Sequence, residues 1–131
     1  MAQLEVRMKN GEMAMSSVTN MTLFVEFDDD LIHTRGGPIG ELNQYLAERE
    51  HCSSGFAPLF EAYGGNKCCE SYVYGASVNY LGIDDFLKYA QGLKWASRKH
   101  VLFVINDEHE DGYTAWRLDD PIPDHYTDEL G

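Results

Sequence analysis

Three groups of side chains in this chain have the types and spacing that chemistry needs. The first is carboxylates. Asp107, Glu108, Glu110 and Asp111 form a block, and Asp107-x-x-x-Asp111-Gly112 partly matches the opening of a calcium-binding EF-hand loop. The match fails at the third position, which is His109, and at the twelfth, where Leu118 replaces the bidentate Glu. A solvated acidic hairpin loop is the simpler reading. Asp28, Asp30 and His33 could surround a divalent cation at a strand end, but any dense carboxylate cluster shows that pattern. No metal site and no cofactor is assigned.

The second group is thiols. Cys52 follows His51, and Cys68 and Cys69 lie beside Lys67 in a Gly-flanked segment. A catalytic thiol needs a cationic neighbour or a helix N-terminus to lower its pKa. Lys67 offers a little of that, yet no local signature pairs a cysteine with a histidine. Buried cysteine acting as a small hydrophobe is favoured. No G-x-S-x-G elbow occurs. The third group is the glycine-rich run Arg35-Gly36-Gly37-Pro38-Ile39-Gly40. It leads into a helix but matches neither phosphate-binding spacing, so it reads as a turn.

What remains is charge. The chain has 131 residues, with 22 Asp and Glu against 10 Lys and Arg, a net charge of −12. Solubility alone asks for a magnitude of about 2–8 in a small domain. The acids cluster: Glu26 with Asp28, Asp29 and Asp30, then the Asp107–Asp111 block, then Asp119, Asp120, Asp124, Asp128 and Glu129. Arg117 is the only Lys or Arg after Lys99. Such a surface repels nucleic acid and anionic membrane and attracts basic partners. The run Lys88, Lys94, Arg98 and Lys99 is the only positive patch, expected to cap a helix and pair with the chain's own acids.

The expected function is therefore that of a small acidic inhibitor. It binds a basic nuclease or nucleic-acid-handling complex and occupies its positively charged site, without touching nucleic acid itself. Partner-binding residues are Asp28, Asp29, Asp30, Asp107, Glu108, Glu110 and Asp111, with Tyr113 and Trp116 as aromatic anchors, although a buried core position suits Trp116 at least as well. Toxin immunity proteins and phage proteins that block restriction or CRISPR complexes share this size and acidity. That is a likeness of type, with no shared motif. Two other readings stand beside it: an enzyme using Cys52 or Cys69 with a histidine, and a dimerising structural subunit. The chain is expected to be a monomer or homodimer.

An odd count of three cysteines argues against a disulfide framework and suits reduced, cytoplasmic conditions. The Asn20-Met21-Thr22 sequon has no signal peptide before it, and no apolar run approaches the roughly 18 residues of a membrane helix.

The elements that must position these residues follow from periodicity. Leu4, Val6 and Met8, then Met13 and Met15, alternate with mostly polar residues around the Asn10-Gly11 turn, a hairpin pattern. Residues 22–27 read as a strand. Ile39, Leu42, Tyr45 and Leu46 recur at helical spacing from Pro38 to about Glu50. Phe56, Leu59, Phe60 and Tyr63 suggest a short helical turn. Residues 70–81 read as a strand with a bulge or close approach at Gly75. Ile83, Phe86, Leu87, Ala90 and Leu93 mark a second helix opened by Asp84 and Asp85. Residues 100–105 form an apolar strand expected to be covered on both faces, and 113–118 return beside it. The expected fold is α+β: a mainly antiparallel sheet of about five to six strands, with N-terminal and C-terminal hairpins and two helices on one face. Residues 1–118 form one domain, followed by an acidic, Pro-containing tail over 119–131.

Overall fold

The computed structural model describes residues 18–26, 37–49, 55–59, 64–66 and 72–127. They form an α+β fold around one antiparallel sheet. The strands are β1 (Val18–Val25), β2 (Ala57–Pro58), β3 (Tyr72–Asn79), β4 (Leu102–Asp107) and β5 (Thr114–Arg117), in spatial order β2-β3-β1-β4-β5. Helices are α1 (Pro38–Glu48), α2 (Ile83–Gln91) and the single turn α3 (Asp124–Thr127), with a 3₁₀ turn at Arg98–His100. The 4–16 hairpin pattern, all three cysteines and Asp28–Asp30 lie outside the described residues.

β1 is central because its alternation gives each neighbour a buried face. Leu23 pairs with Tyr74 on one side and Phe103 on the other, and Phe103 pairs in turn with Trp116. Successive strand residues point to opposite faces. Met21, Leu23, Val25, Tyr74, Val78, Phe103, Ile105 and Trp116 therefore share one face, and all belong to one core. The apolar stripes of α1 (Ile39, Leu42, Tyr45, Leu46) and α2 (Ile83, Phe86, Leu87, Ala90) complete that core. Phe86 meets Tyr45 and Phe103 edge-on, at ring separations of 5.5 and 6.1 Å.

Helix ends follow local chemistry. Pro38 sits in the first turn of α1, where its missing N–H costs nothing. α2 opens on Asp84 and Asp85 and stops at Gly92, short of Leu93. The expected cationic cap is real but comes from beyond the helix. Arg98 donates to the Gln91 carbonyl (3.1 Å) and pairs with Asp119 (2.7 Å).

Three expectations change. In the expected 56–63 turn, Ala57 and Pro58 instead form a strand paired with Gly75 and Tyr74, and residues 60–63 lie outside the described residues. Proline is tolerated there because β2 is an edge strand. Gly75 hosts no bulge, since β3 pairs with β1 continuously through Thr22↔Gly75. What approaches Gly75 closely is a side chain and not another backbone: a Cβ there would come within 2.9 Å of Leu59. Among the described residues the core covers one face of β4, and Leu102 and Val104 on the other are half-buried.

The segment after Arg117 turns back through the Asp120 N–H to Arg117 carbonyl bond (2.9 Å). It packs Tyr126 into the core and brings α3 against α2.

Candidate functional site

The β4–β5 turn holds the acidic block, and its carboxylates have distinct tasks. Asp107 Oδ1 accepts from the buried Thr19 hydroxyl (3.1 Å), and Oδ2 accepts from the His109 N–H (3.3 Å). Glu108 continues the pairing with β1: its N–H donates to the Val18 carbonyl (2.9 Å), and its carboxylate accepts from the Val18 N–H (2.5 Å). Glu110 donates its N–H to the Asp107 carbonyl (2.8 Å), and its carboxylate meets His125 Nε2 at 2.7 Å. Of the four acids, Asp111 alone is exposed with no part in the turn's bonding. Gly112 closes the loop at φ +116°, and its carbonyl accepts from Asn106 Nδ2 (2.8 Å).

Tyr113 stands 78% exposed beside Asp111. Trp116 does not: it is 1% exposed, its ring tilted against Phe103, and its Nε1–H is shared between the Asp120 and Pro121 carbonyls, each at 3.2 Å. It is a core residue, unavailable as a surface anchor. Glu110, Asp111, Gly112, Tyr113, Thr114 and His125 line an open depression of about 230 Å³.

Glu26 is the one described residue of the Glu26–Asp30 block. β1 runs antiparallel to β4, so Val18 lies beside Asp107 while Phe24 lies beside Leu102. The chain exits at Glu26, which meets His100 at 3.5 Å, at the end opposite the β4–β5 turn. The two ends of β4 are roughly 17 Å apart at about 3.4 Å per residue. Lys94, Arg98, Lys99 and Arg117 belong to the Glu26 end, along with Asp119 and Asp120. The Asp107–Asp111 turn, by contrast, meets no Lys or Arg among the described residues, only the His125 ring.

The sequence marks Tyr126 as an aromatic within the third acidic group, but nothing in it points to His125 or Thr114. Glu110 and His125 are separated by 15 positions, and no local pattern joins them. His125 Nε2 also lies 3.5 Å from the Thr114 hydroxyl. One nitrogen thus faces both groups, which is not the relay of a nucleophilic triad, where each ring nitrogen has its own partner. Among the described residues, no three His, Cys, Asp or Glu side chains gather to hold a metal, and no helix is long and apolar enough to cross a membrane.

Tyr126 is buried, and its hydroxyl has no hydrogen-bond partner. Thr114 and Glu110 stand beside it without meeting bonding geometry. Burial holds its pKa well above the ordinary 10.0; Thr114 lowers it by less than burial raises it, and the Glu110 and Asp107 carboxylates add to the rise. A raised pKa stabilises the protonated form, so this contribution is complete below pH 10.0 and is lost as pH climbs through the folded value. Burial raises Tyr45 and Tyr89 too. Tyr126→Phe should leave stability at neutral pH unchanged or up to about 1 kcal/mol higher, because no bond is lost. It should also reduce the loss of stability above about pH 10. Urea titrations at neutral and alkaline pH check both; a clear loss at neutral pH would mean the hydroxyl is bonded after all.

No protein-family model matches this chain, and no curated protein and no solved structure shows significant similarity to it. The class is set by the fold alone: a five-stranded antiparallel α+β domain with an acidic turn at one end.

Proposed function

We propose that this protein is a small acidic binding protein that occupies the positively charged site of a nuclease or nucleic-acid-handling complex. The separation of charge carries the reading. Glu108, Asp111 and Asp85 are exposed at the end of the sheet where β4 finishes and α2 begins, while Lys94, Arg98, Lys99 and Arg117 sit at the other. A nucleic-acid channel displays Lys and Arg to meet phosphates. Carboxylates presented on a rigid turn can satisfy the same cations, and opposed fields speed the encounter. Tyr113 supplies an exposed aromatic ring beside the acids, the residue type most often found at binding hot spots. Asp107 and Glu110 contribute by fixing the turn rather than by contact.

The test uses acids with no role in the turn's bonding. Asp111→Lys combined with Asp85→Lys should slow association with the partner by about tenfold at low salt and flatten its salt dependence. Immobilised protein exposed to nuclease-treated cell lysate, eluted in salt steps, supplies the partner for that comparison. Equal retention of the same basic proteins by the double variant contradicts the reading.

A further inference from the structure

We propose, resting on that binding role, that β5 is where docking occurs: an extended basic segment of the partner adds to it as a sixth strand. Among the described residues β5 closes one side of the sheet and pairs only with β4. The Leu118 N–H donates to the Val101 carbonyl (3.3 Å), so that pair is one of those exchanging main-chain bonds. Bonded and non-bonded pairs alternate in an antiparallel ladder. Phe103/Trp116 and Ile105/Thr114 are then bonded, and Ala115 and Arg117 turn their N–H groups away from β4. The Ala115 carbonyl points the same way, while that of Arg117 already accepts from Asp120. Tyr113, Ala115 and Arg117 are all exposed. The chain beyond Arg117 crosses on the core side, where Trp116 meets the Asp120 and Pro121 carbonyls. No described residue pairs with the outer edge of β5, whereas β2 takes part of the opposite edge at β3.

Charge selects the occupant. A second copy pairing about a two-fold axis at Ala115 would set Asp111 against Asp119, between chains of net charge −12 each. A basic segment meets Glu108 and Asp111 at one end of the strand and Asp119 and Asp120 at the other, all exposed. Main-chain bonds give affinity in strand addition, and the flanking charges choose the partner.

The probe is an alternating Lys-Val peptide of about ten residues, long enough to span an edge strand. Its control has the same sequence N-methylated at every residue, which keeps the charge and removes the donors. Amide exchange is followed on the full chain. In the free protein, Ala115 and Arg117 should exchange at least about tenfold faster than Trp116. The Lys-Val peptide should slow both by about tenfold or more, and the methylated peptide should not. Equal binding of both peptides, with Ala115 and Arg117 unprotected, overturns strand addition and leaves the acidic docking role standing. Failure of both to bind, even at low salt, overturns the two together.

Discussion

Trp116→Ala should destabilise the fold by about 3–5 kcal/mol, the cost of removing a buried indole from a packed core. The side chain is 1% exposed and packs 5.7 Å from the Phe103 ring, on the one face of the sheet that both long helices cover. Its Nε1–H also holds the Asp120 and Pro121 carbonyls, so truncation frees the start of the segment that returns Tyr126 to the core. Loss of those bonds leaves two carbonyls to find water, which keeps the effect at the upper end of the range. An aromatic anchor on a binding surface would behave differently: binding would fall while the urea midpoint stayed put. A stability change under about 1 kcal/mol would therefore place Trp116 outside the core and contradict the packing described here.

Gly55→Ala should cost about 2–4 kcal/mol through two separable effects. Gly55 has φ +71°, a conformation that costs an L-residue about 1 kcal/mol. An added Cβ would also lie 2.4 Å from Asn43 Oδ1. That oxygen is not free to move. It accepts from the Phe56 N–H at 2.6 Å, while Asn43 Nδ2 donates to the Phe56 carbonyl at 3.4 Å. The amide thus imitates a neighbouring strand and fixes Phe56 between Phe86 and Phe103, at ring separations of 6.3 and 6.4 Å. Asn43→Ala alone should cost about 1–2 kcal/mol. In that background Gly55→Ala should cost only the remaining backbone strain, about 1 kcal/mol, because the clash has gone. Additive costs in the double variant would contradict this coupling.

The parts of this fold legible in the sequence are those in which one element carries its own pattern. The stripes Ile39-Leu42-Tyr45-Leu46 and Ile83-Phe86-Leu87-Ala90 name both long helices without reference to anything else. The antiparallel sheet likewise follows from β-branched runs separated by turns. Elements defined by their partners were not legible. β2 is two residues including Pro58, a strand only because Gly75 and Tyr74 lie alongside it. β1 begins at Val18 rather than Thr22, because Asn79 and the Glu108 side chain extend its pairing over a polar stretch. The acidic turn shows the same limit. Its location and charge were plain, but four adjacent carboxylates looked alike. Whether a carboxylate caps a turn or faces a partner depends on groups such as Thr19, Val18 and His125, 88, 90 and 15 residues away. Trp116 was ambiguous for a related reason, since an aromatic beside an acidic loop suits a core or a surface equally well.

The central claim is that clustered carboxylates take the place of nucleic acid on a basic partner. The most direct measurement is competition. The basic protein retained on immobilised wild-type chain is loaded with fluorescently labelled duplex DNA, and anisotropy is followed as free protein is added. Full displacement of the DNA by wild type, with Asp111→Lys/Asp85→Lys needing about tenfold more, is the expected result. DNA that stays bound while the acidic protein binds beside it would contradict the claim.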